Sequence, residues 1–116
     1  MLKRGYLFAF LLLAAPLWAQ QNPQVLGYGV EGCDHYNLTY AGWQEGQEEH
    51  IAEYIHYRDW LEGLVTGLSL ATGMDVLKGV DNKGALRRIQ LYCDEHPTDD
   101  FFTATMDLVR ILSSLK

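Results

Sequence analysis

Residues 51–68 read IAEYIHYRDWLEGLVTGL, and this stretch decides the fold class. Its mostly apolar and aromatic positions recur at steps of three and four, which is the period of one face of a helix rather than of a strand. Acidic residues just before it would stabilise the start of a helix, because the N-terminal end of the helix dipole is positive. The pattern predicts a long helix from near Glu45 to about Ala71. The positions at helical steps are Ile51, Tyr54, Ile55, Arg58, Leu61, Leu64, Val65 and Leu68.

Two glycines stand one turn apart inside this predicted helix. Gly63 and Gly67 each lower helix propensity by about 1 kcal/mol relative to alanine. Their spacing is the small-x-x-x-small step, which lets two helix backbones approach closely. We therefore predict that these glycines are kept for close contact with a neighbouring helix rather than for local stability.

Three further helices are predicted around the long one. A short first helix covers 33–41, and a third helix covers 81–96 with Asp81 as its N-cap. A last amphipathic helix follows, capped by Thr98 or Asp99. No hairpin signal, alternating strand or internal repeat is present. The sequence thus predicts an all-α fold, a small helical bundle of about four helices.

The start of the chain has the layout of a secretion signal. Lys3 and Arg4 precede an almost unbroken apolar run over 6–15, which is shorter than the roughly 20 residues that a membrane helix needs. We expect cleavage after Ala19, although Leu17 is larger than the residue usually found two positions before the cut. An uncleaved membrane anchor is the alternative. The predicted organisation is a signal peptide over 1–19, a flexible tail over 20–32 and a disulfide-linked helical domain over 33–116.

The predicted export indicates that the two cysteines form a disulfide. In an oxidising compartment two cysteines of a small domain usually pair, and two cysteines allow one intramolecular disulfide, between Cys33 and Cys93. Closing so long a loop stabilises the fold by about 4 kcal/mol in the chain-entropy model. The alternative is a pair of buried free thiols.

The charge of the chain argues against some classes of partner. The formal net charge is -6, and two of the nine bases lie in the predicted signal peptide, so 15 acidic residues face seven basic ones in the mature chain, a balance of -8. An acidic surface repels phosphate backbones and anionic lipid. We therefore expect no nucleic-acid partner and no membrane partner after signal cleavage, and basic proteins or basic patches are the natural partners.

No combination of residues predicts a catalytic or cofactor site. Glu53 and His56 match the Glu-x-x-His step of di-iron bundles, but such sites need a second pair, which the sequence does not contain. The strongest zinc patterns, His-Glu-x-x-His and Cys-x-x-Cys, are missing, and no serine has a Gly-x-Ser-x-Gly setting. We therefore expect no metal ion, no other cofactor and no enzymatic activity.

The aromatic residues suggest a surface for another protein. The chain has more Tyr and Trp than one small core can bury fully, and such residues anchor protein interfaces when they are left at the surface. The alternative is that they cover the core with their polar ends in water. We predict an acidic, aromatic-bearing face for partner binding. Its residues are Trp43, Glu48, Glu49 and Tyr57.

Two stretches carry a resemblance to known proteins. They are YRDWLEGLVTG at 57–67 and LYCDEHP at 91–97. With the predicted export signal and the early cysteine, they resemble the Rap/Tai kind of type VI secretion immunity proteins and, more remotely, the HdeA acid-stress chaperones. The likeness extends from residue 33 to the C-terminus. It implies a periplasmic helical bundle with a disulfide at Cys33 and Cys93, with Trp60, Gly63 and Gly67 as helix-packing residues.

The resemblance also implies a function without catalysis. Immunity proteins of this kind neutralise a secreted toxin by covering its site, so the first expectation is a periplasmic protein-binding module. Chaperones of the HdeA kind loosen in acid and hold unfolding clients, so the second is an acid-activated holdase. A small exported enzyme is the third alternative, and no motif supports it.

Overall fold

A computed structural model describes residues 22–115, so the predicted signal peptide over 1–19 and its cleavage lie outside the described residues. The described residues form four α-helices and no β-strand. None of these helices is long and apolar enough to cross a membrane. The predicted all-α class, with about four helices and one disulfide, is confirmed. The elements are a 3₁₀ turn (Gly27–Val30), α1 (Cys33–Gln44), α2 (Glu48–Thr72), α3 (Asn82–Glu95) and α4 (Phe101–Ser113).

The first two helices meet at a tight connection. α1 continues to Gln44, beyond the end predicted near Ala41, and α2 begins at Glu48 rather than near Glu45. Only residues 45–47 remain to join them. α2 ends at Thr72, and the backbone N–H of its C-cap Gly73 donates a hydrogen bond to the carbonyl of Ser69 at 2.8 Å. The predicted long helix is therefore confirmed, with a start three residues later.

Aspartate caps set the starts of α3 and α4. The carboxylate of Asp81 accepts a hydrogen bond from a backbone N–H three residues later at 2.7 Å, which confirms this residue as the N-cap of α3. Asp100 caps α4 in the same way, also at 2.7 Å. The predicted caps, Thr98 or Asp99, were wrong because the Asp99 carboxylate is used elsewhere. It accepts a hydrogen bond from the hydroxyl of Tyr92 at 2.5 Å.

Three aromatic rings form the centre of the core. Tyr36 of α1, Tyr57 of α2 and Phe101 of α4 are fully buried, and each pair of rings has centroids 4.8 Å apart. The hydroxyl of Tyr36 donates to the backbone carbonyl of Leu86 in α3 at 2.8 Å, so its buried polar end is satisfied. All four helices therefore meet at one cluster. The aliphatic residues buried around it include Leu61, Leu77, Leu86, Ile89, Leu108 and Leu112.

The predicted disulfide is present and lies inside the bundle. It joins Cys33 at the start of α1 to Cys93 near the end of α3, and both residues are fully buried. Two backbone hydrogen bonds tie the same region to the start of α4. The N–H of Cys33 donates to the carbonyl of Asp99 at 2.8 Å, and the N–H of Phe101 donates to that of Glu31 at 2.9 Å. The beginnings of α1 and α4 are thus fixed together beside the sulfur bridge.

The described part of the segment before α1, residues 22–32, differs from the flexible tail predicted over 20–32. Its 3₁₀ turn packs onto α2 and α4. The indole N–H of Trp60 donates to the carbonyl of Leu26 at 2.9 Å, and the ring of Tyr28 meets that of Tyr57 edge-on with centroids 4.8 Å apart. The packed domain therefore begins with this turn, upstream of the boundary predicted for the helical domain. The prediction failed because Gly and Asn content indicates a loop without showing what the loop packs against.

Candidate binding surfaces

The predicted helix-packing site at Trp60, Gly63 and Gly67 is only partly present. Trp60 does pack, edge-on against Phe101 and Phe102 of α4 with centroids 5.6 and 6.5 Å apart. Gly63 and Gly67 are exposed, and a Cβ at either would meet no heavy atom of the described residues within 4 Å. The close helix contact predicted for these two glycines is therefore wrong for the described part of the chain. The small-x-x-x-small spacing was compatible with contact but no described element passes over it.

Among the described glycines, close contacts between separate elements occur at two other positions. Gly42 of α1 faces α2, and a Cβ there would lie 2.6 Å from the Cβ of His50. Gly29 of the 3₁₀ turn faces Trp60, and a Cβ there would lie 2.8 Å from the Cε2 atom of the indole. Both distances are shorter than any ordinary contact between carbon atoms. Glycine at these sites is what allows α1 to approach α2 and the turn to approach the indole.

Tyr57 cannot belong to the predicted partner-binding face. It is fully buried, and its hydroxyl lies 2.6 Å from Nδ1 of His35. Burial raises the pKa of the Tyr57 hydroxyl above its ordinary value, which is the behaviour of a group removed from water. The spacing of the sequence contained this information, because Tyr54, Tyr57 and Leu61 form one helical face. Those three are the buried residues of α2.

The other three residues of the predicted face lie at one end of the bundle. Trp43 is half-buried near the end of α1, and Glu48 and Glu49 are exposed in the first turn of α2. The Trp43 indole stacks on the ring of Tyr54, with centroids 4.0 Å apart and planes within 4°. Trp43 and the exposed acidic pair therefore lie on either side of the short connection between the two helices, and Glu49 lines a separate depression together with His35 and Glu53.

An open cleft lies beside Trp43, between α1 and α3. Its volume is about 630 Å³, which falls within the roughly 300–1,000 Å³ of small-ligand pockets. The ammonium of Lys83 lies 5.9 Å from the centre of the Trp43 ring, within the range of a cation–π contact. We call this feature the Trp43 cleft. It is lined by Tyr40, Trp43 and Gln44 from α1 and by Lys83 and Arg87 from α3.

A second group of polar side chains surrounds His35. Its Nδ1 atom lies 3.8 Å from the carboxylate of Glu31, and its Nε2 atom lies 3.5 Å from that of Glu53. We call His35, Glu31, Glu53 and Tyr57 the His35 cluster. It links the segment before α1 to α1 and α2. Among residues 22–115, no group of three His, Cys, Asp or Glu side chains is arranged to bind a metal ion.

The two residues of the Glu-x-x-His step, for which no metal site was expected, contact different side chains. Glu53 contacts His35, whereas the ring of His56 stacks on Tyr28 with centroids 5.4 Å apart.

An apolar groove of about 590 Å³ lies on another side of the molecule, between the N-terminal segment, α2 and α4. We call it the Trp60 groove. Its walls include Val25, Leu26, Trp60, Leu64 and Phe102.

Comparison with known proteins gives no neighbour from which a function could be carried over. No family model, no curated protein and no solved structure matches this chain. The resemblance at 57–67 and 91–97 therefore stays a prediction. Function has to be inferred from the geometry of the described residues together with the pattern of the sequence.

Proposed function

We propose that this protein is a non-catalytic exported protein-binding module, of the kind that neutralises a secreted toxin in the periplasm. The observation that supports the proposal is the position of Trp43. A half-buried tryptophan beside an open cleft that also contains charged side chains is typical of the residues that contribute most to binding energy at protein interfaces. Lys83 and Arg87 line the cleft with Trp43, and the predicted acidic residues Glu48 and Glu49 follow in the first turn of α2, after the short connection.

The rigidity of this end of the molecule favours the same function. Trp43 is held against Tyr54 by stacking, and Tyr54 is itself buried in α2. The disulfide between Cys33 and Cys93 ties α1 to α3, the two helices that form the walls of the Trp43 cleft, at the ends of these helices that lie away from the cleft. A surface that is already ordered loses little conformational entropy on binding. A small bundle of this construction therefore suits a tight inhibitor better than a catalyst that must move.

The proposal is tested by capture of a partner from cells that make the protein. We expect the tagged, oxidised chain to retain one protein in a one-to-one complex, and the Trp43→Leu variant to lose it. Leu38→Ala is the matched control, because Leu38 is 68% exposed on α1 and does not line the cleft. Gln44→Arg, which fills the cleft from an exposed position, guards against misfolding of the tryptophan variant. Equal capture by all four forms would refute the proposal.

The His35 cluster favours one second candidate, the acid-activated holdase. The carboxylates of Glu31 and Glu53 lie near one imidazole and connect the segment before α1 to two helices. At about pH 2 to 3 most carboxylates of a protein are protonated, and the seven Lys and Arg of the predicted mature chain keep their positive charges. Self-repulsion then loosens a small bundle.

The holdase candidate has its own test. Dye binding and suppression of client aggregation are measured at about pH 2 to 3 and at neutral pH. A holdase gains both on acidification, and the Glu31→Gln, Glu53→Gln double variant moves the onset of dye binding to higher pH. The absence of any gain over neutral pH would remove this candidate.

A further inference from the structure

Most of α3 is an exception to the acidic character of the chain. From residue 82 to residue 93 there is no Asp or Glu, whereas Lys83, Arg87 and Arg88 lie within six residues. Lys83 and Arg87 are one helical turn apart and therefore share a face. Three of the seven bases of the predicted mature chain are thus gathered on one short helical segment.

Within residues 22–115 these bases form no ion pair, and the Lys83 ammonium makes the cation–π contact with Trp43 described above. Arg58 and Arg110 form ion pairs with neighbouring carboxylates, at 3.2 and 2.7 Å. Among the described residues, no carboxylate lies within 4.0 Å of the charged groups of Lys83, Arg87 or Arg88. Residues 1–21 contain no Asp or Glu, so they offer no side-chain carboxylate either. The cations are available for an external anion.

The Trp43 cleft presents two of these cations toward a single space. Lys83 and Arg87 line it together with Tyr40, Trp43 and Gln44, and no acidic side chain lines it. Ammonium and guanidinium groups only donate hydrogen bonds, and the Gln44 amide and Tyr40 hydroxyl can donate as well. A carboxylate accepts from several donors at once and gains charge-assisted bonds with the two cations.

We propose that the Trp43 cleft binds a carboxylate-bearing segment of a partner protein. An acidic side chain of that segment lies between Lys83 and Arg87, and a neighbouring apolar side chain of the partner contacts Trp43. The proposal rests on the proposed function, because the occupant is part of the bound protein. The net charge of the whole chain favours basic groups of a partner, whereas the cleft binds an acidic group.

Charge also selects a peptide over a polyanion. A nucleic acid needs many phosphate contacts for useful affinity, and the cleft offers two cations. Glu48 and Glu49 are exposed at the same end of the bundle and would repel an extended chain of phosphates. A single carboxylate between two cations avoids that repulsion.

The test uses a defined probe and the intact oxidised protein. Acetyl-Glu-Phe-Glu-amide is titrated while the side-chain and backbone NMR signals of the protein are followed, and acetyl-Gln-Phe-Gln-amide serves as the uncharged probe. We expect the acidic peptide to shift the signals of Trp43, Lys83 and Arg87, and the uncharged peptide to leave them in place. The Lys83→Gln, Arg87→Gln double variant should weaken binding by about tenfold or more, and added salt should weaken it in the unsubstituted protein.

Arg88 offers a matched control. It is exposed, follows Arg87 directly and does not line the cleft, so Arg88→Gln removes the same charge from the same helix. Binding within about twofold of the unsubstituted protein is expected for this variant, since a charge outside the site acts only through a screened field. Equal losses in Arg87→Gln and Arg88→Gln, or equal binding of the two peptides, would overturn the proposal.

The failure of this inference differs from the failure of the proposed function. Suppose that Trp43→Leu loses the partner and the Lys83→Gln, Arg87→Gln double variant captures it as well as the unsubstituted protein does. This result overturns the carboxylate contact and leaves the proposed binding module in place. Self-association of the chain that this double variant abolishes would place a second copy in the cleft, and would overturn the assignment to a different partner protein.

Discussion

The indole of Trp43 lies parallel to the ring of Tyr54, with centroids 4.0 Å apart and planes within 4° of each other. One residue belongs to α1 and the other to α2, so the stack joins the two helices at the end where they are connected. The same contact leaves Trp43 beside the open cleft in a fixed orientation. A structural contact and a proposed binding contact therefore share one side chain.

The stack predicts energetic coupling between its two members. In a double-mutant cycle of Trp43→Leu and Tyr54→Leu, we expect a coupling free energy of about 0.5–1.5 kcal/mol from urea unfolding. Leu38→Ala, on the exposed side of α1, should change the free energy of unfolding by less than about 0.5 kcal/mol. Strict additivity of the two single changes would show that the rings do not interact in solution.

Glycine substitutions should have opposite effects at two kinds of position. Gly29→Ala puts a Cβ into the Trp60 ring, so we expect it to lower the free energy of unfolding by about 1–3 kcal/mol. Gly63→Ala and Gly67→Ala add helix propensity at exposed sites with open space, and each should raise it by about 0.5–1 kcal/mol. Chemical denaturation of the three variants measures this difference. A loss of stability in Gly63→Ala or Gly67→Ala would instead indicate a close contact at that position, which the described residues do not show.

Removal of the disulfide should weaken the fold strongly. We expect the Cys33→Ser, Cys93→Ser double variant to lose about 2–5 kcal/mol of unfolding free energy, because the bridge closes a long loop in the denatured chain. The two sulfurs are fully buried, so the reductant should act slowly on the folded protein and quickly after unfolding. Denaturation with and without reductant, followed by circular dichroism, measures the loss. Identical curves would contradict the role given to the bridge.

Deprotonation of tyrosine side chains should lower the stability of the fold in alkali. The hydrogen bond to Asp99, followed by partial burial, raises the pKa of Tyr92 to about 12, and burial raises the pKa of Tyr36 and of Tyr57 as well. Because the folded state keeps these protons longer than the unfolded state, their contribution is complete below about pH 10 and is lost as pH rises through the folded values. We expect the urea midpoint to fall above about pH 10, and less steeply in Tyr92→Phe. Parallel curves for the two proteins would contradict this contribution of Tyr92.

Local features of the fold could be predicted from the sequence. The helical period of residues 51–68 predicted the long helix, and the position of Asp81 predicted the N-cap of α3. Both predictions depend only on neighbours within a few residues. The pairing of the two cysteines followed from their number and the predicted export. These features depend on the chain's own local geometry or on counting, and the structure confirms them.

Contacts between distant residues could not be predicted in the same way. Glu31, His35 and Glu53 come together only after the segment before α1 folds back onto α2. The spacing of Gly63 and Gly67 indicated room for a neighbour but contained nothing about which element would arrive there. Lys83 and Arg87 share a helical face in the sequence, yet only the packing of α3 against α1 brings them beside Trp43.

The central claim, that the end of the bundle around Trp43 binds another protein, is tested most directly by photo-crosslinking in the cells that make this chain. A photoreactive amino acid at Gln44, which is exposed and lines the Trp43 cleft, is compared with the same group at Leu70, which is 80% exposed near the far end of α2. We predict one abundant crosslinked protein from Gln44 and none from Leu70. The same products from both positions, or none from Gln44, would contradict the claim.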